Sequence, residues 1–210
     1  ALAGITAPPV HAGEDNTIRL ALIGCGGRGS GAVADALSAP SGPVKLHSMA
    51  DLFELRLRGS YKNLSRQFGN SIDVPPERRF LGFDAYRKAI DCLKPGDVAM
   101  LTAYTFCRPT HLDYAVQKGV HVFMEKPFAP DPVGLKRMLR AGEVAEKKNL
   151  KIAAGLMCRH SPARQALIRK IRDGEMGDIQ LIRAYRMGGG GYFGPRKTEE
   201  NELLWQIRNR

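Results

Sequence analysis

Long apolar runs are the first thing missing from this chain of 210 residues. The apolar stretches Val98 to Leu101 and Ile152 to Met157 are soon interrupted, and none approaches the roughly 18 residues that a membrane-spanning helix needs. A membrane span is therefore excluded for the residues read. Cysteine is scarce: Cys25, Cys92, Cys107 and Cys158 are widely spaced and form no C-x-x-C pair, which argues against a disulfide framework or a zinc site. The nearest metal-like pairings, Cys107 with His111 and Cys158 with His160, have no further ligands close in sequence, so no metal is expected. An initiating methionine is also missing. Residues 1–12 are small and apolar and close on Val10-His11-Ala12, an A-x-A-like cleavage pattern. Residues 1–16 are read as a leader or the remnant of an export signal, which implies a periplasmic protein; the competing reading is a disordered leader on a cytoplasmic one.

Positive charge is in excess, with a formal net charge of +11. A basic balance can mean nucleic acid, anionic lipid or an acidic substrate. Here the basic residues are spread along helix-like segments, as with Lys136, Arg137, Arg140, Lys147 and Lys148 interspersed with Glu143 and Glu146, and no nucleic-acid motif accompanies them. They read as solvated faces, and no nucleic-acid partner is expected. With 43% hydrophobic and 25% charged residues, the chain can bury one full domain and part of a second.

From Thr17 onward β-rich runs alternate with helical patterns, the signature of repeated βαβ units and a parallel sheet covered on both faces. Strands are expected at Ile18 to Ile23, Val44 to Ala50, Asp97 to Thr102, Val120 to Glu125 and Lys151 to Leu156. Helices are expected at Gly29 to Leu37, Phe53 to Phe68, Asp84 to Leu93, Pro109 to Lys118, Asp131 to Lys148 and Ser161 to Asp173. Asp131 before Pro132 is a helix-start signal; Val133, Leu135, Met138, Leu139 and Val144 would then form the face that lies on the sheet. After Met157 the rhythm changes to a helix, a strand candidate at Ile179 to Met187 and a glycine run, Gly188 to Gly191. The expected fold class is α/β: a doubly wound parallel Rossmann sheet over residues 17–157, followed by the start of a second α+β domain over 158–210.

Gly24-Cys25-Gly26-Gly27-Arg28-Gly29 matches G-x-G-x-x-G directly after the first strand and at the opening of a helix. The first glycine suits a tight turn, the second lets a pyrophosphate approach the backbone, and the third lets helix and strand pack closely. The free amides of the helix start would face the phosphates. Gly24, Gly26, Gly27, Arg28 and Gly29 are therefore expected cofactor contacts. Asp51 ends the second strand 22 residues after Gly29, where an acid would accept from a ribose diol and repel a 2′-phosphate. Its competing role is a cap for the helix beginning near Phe53. Arg56 and Arg58 lie close by, so NAD is expected and NADP remains possible.

The strand expected at Val120 to Glu125 leads through the run Val122-Phe123-Met124-Glu125-Lys126-Pro127. Together with the glycine motif, with Gly82-Phe83-Asp84-Ala85-Tyr86, Arg108-Pro109-Thr110-His111, Gly155-Leu156-Met157-Cys158-Arg159-His160 and Asp173-Gly174-Glu175-Met176-Gly177-Asp178, this run resembles the glucose-fructose oxidoreductase, inositol dehydrogenase and rhizopine-catabolism (Gfo/Idh/MocA) family over Ile18 to Arg210, and its exported bacterial members in particular. The resemblance implies that Lys126 stands beside nicotinamide and the substrate hydroxyl, that Glu125 orients the lysine or touches the cofactor, and that the loop beginning at Thr102 contacts the cofactor. That loop departs from the family's usual Thr-Pro-Asn or Thr-Pro-Pro, reading Thr102-Ala103-Tyr104-Thr105-Phe106-Cys107. His160 follows the strand expected at Lys151 to Leu156 and could face the substrate, although a lone histidine is as readily structural. His111 could equally cap or pack within its helix. Trp205, Arg208 and Asn209 would line a sugar pocket.

The implied activity is hydride transfer between a sugar, cyclitol or related polyol and a nicotinamide cofactor, with Lys126 and His160 as catalytic residues. The alternatives are an NAD-dependent glycoside hydrolase working by transient oxidation and elimination, and an inactive cofactor-binding fragment. The family's later His- and Asp-bearing segment and most of its large antiparallel sheet fall beyond Arg210, and a homo-oligomer is expected of the full-length protein.

Overall fold

The computed structural model describes residues 16–40, 42–185, 187–188, 194–196, 199 and 201–209. Of the leader expected over residues 1–16 only Asn16 is among them, and of the run Gly188 to Gly191 only Gly188. The chain divides into two compact units, Ala1–His160 and Ser161–Arg210.

In the first unit the strands are β1 (Ile18–Ile23), β2 (Val44–Asp51), β3 (Arg79–Leu81), β4 (Val98–Leu101), β5 (His121–Met124) and β6 (Ile152–Ala154). All neighbours pair in parallel, in the order β3-β2-β1-β4-β5-β6. The helices between and after them are α1 (Gly27–Leu37), α2 (Glu54–Phe68), α3 (Ala85–Asp91), α4 (Arg108–Lys118), α5 (Pro132–Lys147) and α6 (Met157–His160). This is the doubly wound Rossmann arrangement. Its strand order reverses at β1, between β2 and β4, which opens a crevice at the carboxyl ends of β1 and β4.

Period-two alternation sends successive side chains to opposite faces of the sheet. Ala21 and Ile23 join the core beneath α3, α4 and α5, with Leu101, Leu112, Val116 and Met138. Leu20 and Leu22 join the core beneath α1 and α2, with Val33, Leu46, Met49, Leu57 and Leu64. Because both faces are covered, β4 and residues 20–23 of β1 read as continuous apolar runs rather than alternating ones.

Three expectations need correction. β3 has no place among the strands read from sequence: it is three residues long, Arg-Phe-Leu, too short to show a period, and it forms because β2 offers a free edge to Arg79, Phe80 and Leu81. The strand expected at Ile179 to Met187 is not formed over the described residues 179–185; an extended segment without a neighbouring strand has no ladder to satisfy its backbone groups. On α5 the buried residues are Met138, Ala141 and Ala145, while Val133, Leu135, Leu139 and Val144 are exposed. The helix packs mainly on α4, where alanines permit close approach, and Leu135 and Leu139 instead line a groove of about 440 Å³ with Leu112, Met124, Phe128 and Ile152. The start of α5 forms as its sequence suggests, with Pro132 in the first turn and Asp131 accepting from the Gly134 amide at 2.6 Å.

His111 on α4 is a core residue. Its ring stacks on Tyr86 with centroids 4.1 Å apart, and its buried Nδ1 has no hydrogen-bond partner. Burial, aided by the Arg108 charge, pushes its pKa down from 6.5 to about 4. A base whose folded pKa is depressed is protonated more readily in the unfolded chain. Its contribution to stability is whole above pH 6.5 and is lost as pH falls toward 4, to a total of about 3 kcal/mol. His111→Phe keeps the stack and should flatten that part of the acid limb in melts between pH 7 and 4; an unchanged slope would assign it to other groups.

In the second unit, α7 (Pro162–Arg172) and α8 (Glu202–Arg208) are each capped by the side chain of the residue before them, Ser161 and Asn201 respectively. No described helix is long and apolar enough to cross a membrane.

Candidate dinucleotide site

The glycines at the end of β1 do different jobs. Gly24 has φ 100°, a region L-residues avoid, and a Cβ there would overlap the backbone of Ala103 in the loop after β4. A Cβ on Gly29 would overlap the Gly24 carbonyl oxygen and Thr102 Oγ1. By contrast, a Cβ on Gly26 or Gly27 would meet nothing within 4 Å. The outer two glycines close the loop against the protein, and the middle two leave open space above it.

That space lies at a helix start. α1 is capped by Gly26, with no side-chain hydrogen bond at the cap and no acid in the first turn, and its first intrahelical bond runs from the Ser30 amide to the Gly26 carbonyl. The amides of Gly27, Arg28 and Gly29 precede that bond and so lack intrahelical acceptors. Uncapped amides, the positive end of the helix dipole and room for an anion together fit a pyrophosphate.

Thr102 does not reach into the open space by its hydroxyl. Its Oγ1 donates to the Gly24 carbonyl at 2.7 Å and stands 3.1 Å from that of Ile23, tying the glycine loop to β4. Asp51 is buried at 9% exposure and already serves two amides: Oδ2 accepts from Cys25 N–H at 2.6 Å and Oδ1 from Phe53 N–H at 2.8 Å. The carboxylate thus joins the glycine loop to the residue before α2 without capping that helix's first-turn amides, and its remaining lone pairs are what a ribose could use. Cys25 is buried beside it, and burial, then the Asp51 charge, push its thiol well above the usual range, so it is an inert packing residue. Arg58 is exposed and pairs with Glu54 at 3.6 Å. Arg56 sits over the Phe53 ring at 4.9 Å and the Tyr104 ring at 5.4 Å, and Tyr104 in turn stacks on Phe106.

Across the crevice, Glu125 is buried and its Oε1 accepts from Arg28 Nε at 2.7 Å, linking the end of β5 to the first turn of α1. Gly155, after β6, makes this possible: a Cβ there would overlap the Glu125 carboxylate. Gly155→Ala should displace Glu125, break the Arg28 pair and cost about 1–3 kcal/mol. Melts should show that cost largely gone in a Glu125→Ala background; an equal cost in both backgrounds would place the strain elsewhere. Lys126 follows with an exposed side chain, and the Lys126-Pro127 peptide is cis. His160, exposed at the end of α6, stands at the carboxyl end of the adjacent strand β6. The glycine loop, Asp51, Thr102, Glu125, Lys126 and His160 thus all lie at the carboxyl edge of one sheet.

Two further residues matter here, Gly155, which faces the Glu125 carboxylate, and Arg108, which donates to the Ala103 and Pro127 carbonyls. These partners lie outside the elements of Gly155 and Arg108, so no local pattern in the sequence marks the pair. In the second unit Trp205 Nε1 donates to the Gly194 carbonyl at 2.8 Å and Asn209 Oδ1 accepts from the Gly194 amide at 2.9 Å, so both residues hold local structure; Arg208 lies in α8.

No family model matches the chain. Solved structures do. Scyllo-inositol dehydrogenase from Lactobacillus casei, with bound NAD(H) and scyllo-inositol, superposes with a TM-score of 0.60 at 19% identity over 77% of this chain and 43% of its own. Myo-inositol 2-dehydrogenase from Lactobacillus plantarum gives 0.59 at 23% identity over 78% and 43%. A 3-ketoreductase from Actinomadura kijaniata in complex with NADP gives 0.58 at 21% identity over 79% and 47%. The chain therefore spans less than half the length of these structures. The likeness establishes the fold: an α/β Rossmann domain like the matched part of these structures.

Proposed function

We propose that this chain is the dinucleotide-binding part of an NAD(P)-dependent oxidoreductase of the Gfo/Idh/MocA type, acting on a sugar, cyclitol or related polyol. Residues 17–157 form the binding domain and 158–210 the opening of a substrate and association domain. The observation that carries the reading is the open space above Gly26 and Gly27 beside the uncapped start of α1, at the reversal point of the sheet. The similar structures support it: one binds NAD(H) with a cyclitol, another NADP.

Gly26, Gly27 and Arg28 would hold the pyrophosphate, Asp51 the adenosine ribose, and the loop from Thr102 the middle of the cofactor. When bound, the nicotinamide supplies the hydride chemistry. Lys126 Nζ then donates to the substrate hydroxyl oxygen, stabilising the negative charge that grows as that oxygen loses its proton. Glu125, held by Arg28, fixes the turn from which the lysine projects. His160, exposed in α6 after the adjacent strand β6, is the candidate partner for proton transfer. NAD is the preferred cofactor, because the Asp51 carboxylate repels a 2′-phosphate and the Arg56 guanidinium is engaged by two rings.

Titration of the chain with NADH and NADPH, followed by nicotinamide fluorescence, tests the reading. The expected result is saturable binding with NADH the tighter ligand. A well-folded chain that binds neither would overturn it.

A further inference from the structure

Lys126 has an exposed side chain, yet the residues on either side of it are held. On one side Glu125 is buried and tied to Arg28. On the other, the Pro127 carbonyl accepts from Nη1 of Arg108. Arg108 opens α4, is only 3% exposed, and its Nη2 donates to the Ala103 carbonyl at 2.6 Å. Ala103 is the residue whose backbone lies against Gly24. A continuous line of contacts thus runs from the glycine loop through Ala103 and Arg108 to Pro127 and the lysine turn.

A guanidinium is an expensive way to join two carbonyls. Burial disfavours its charge, pushing its pKa down, and its Nε is buried with no hydrogen-bond partner. The buried carboxylate of Glu125 acts in the opposite direction and holds the charge. The planar fork reaches both carbonyls at once, which a lysine's single ammonium on a flexible stem does less well.

We infer that Arg108 is a positioning residue for Lys126: its fork spans the Ala103 and Pro127 carbonyls and sets the lysine turn relative to the glycine loop, so that the nicotinamide end of the cofactor meets Lys126 only while both bonds are made. This rests on the proposed dinucleotide site. It requires that losing Arg108 weaken contacts at the nicotinamide end while sparing those at the adenosine and pyrophosphate end.

ADP-ribose carries the second end without the nicotinamide, so the pair NADH and ADP-ribose separates the two. For Arg108→Lys, NADH should bind about tenfold more weakly while ADP-ribose binds as to the native chain. Lys126→Ala should show the same split. The double variant should lose no more NADH affinity than Lys126→Ala alone, since the arginine acts through the lysine. Arg108→Met, which keeps a long stem without charge, is the second variant and should repeat the pattern. Additive losses, equal weakening of both ligands in folded protein, unchanged NADH binding, or failure of both variants to fold would each overturn the inference. A native chain that bound neither ligand would instead remove the dinucleotide site on which it rests.

Discussion

Gly26→Val will abolish NADH binding, by at least about 100-fold, and leave the fold intact. The backbone at Gly26 has φ −72° and ψ 179°, which any residue adopts, and the direction of its missing Cβ is open. The loss of stability should stay near about 1 kcal/mol, the scale of a poorer residue at a helix cap. What the valine does fill is the room a pyrophosphate needs against the first-turn amides. Gly29→Ala is the contrasting experiment: one methyl group would collide with the Gly24 carbonyl and Thr102 Oγ1, the first a backbone atom and the second held by its own hydrogen bond. That overpacking should cost more than about 3 kcal/mol and lower the melting temperature sharply. Circular-dichroism melts with NADH titration read both effects. A folded Gly26→Val protein that still bound NADH would place the cofactor elsewhere.

Part of the candidate site is legible in sequence. The motif glycines after β1 and Asp51 at the end of β2 are local features, so pattern and spacing place them at those strand ends. Their detailed roles are not local. Gly24 makes a turn, but it also lies against Ala103, 79 residues along the chain. Thr102 was expected to meet the cofactor, and its hydroxyl spends its hydrogen bond on the glycine loop. Arg108 and Gly155 were not read as part of the site because each acts on a residue from another element. The same limit explains the fold-level differences. β3 owes its existence to a free edge on β2, and the buried face of α5 was set by α4 rather than by hydrophobicity along the helix. Burial of His111 likewise follows from Tyr86 across a helix boundary, which its own neighbours in sequence do not disclose.

Asp51 is the residue for which function and structure must be separated most carefully, and Asp51→Ala should damage both. Removing its carboxylate leaves the Cys25 amide buried without an acceptor and frees the Phe53 amide at the start of α2. An unsatisfied buried donor costs about 1–3 kcal/mol, so a melting temperature lowered by several degrees and a misplaced glycine loop are both expected. Weaker NADH binding by that variant would therefore say little about the ribose. Asp51→Asn is the better probe. It keeps one acceptor oxygen and removes the negative charge, at the expense of pointing amide hydrogens toward one of two amide donors. Any general damage to the loop weakens NADH and NADPH alike, because both use the same pyrophosphate contacts. Loss of the charge has a different signature: it removes an acceptor from the ribose diol and the repulsion felt by a 2′-phosphate. The ratio of NADPH to NADH dissociation constants in Asp51→Asn should thus fall about tenfold, a change of about 1.4 kcal/mol in discrimination, while the absolute affinities drop by whatever the loop loses. A ratio equal to that of the native chain, alongside a lowered melting temperature, would show that Asp51 acts only as a strut between the glycine loop and α2.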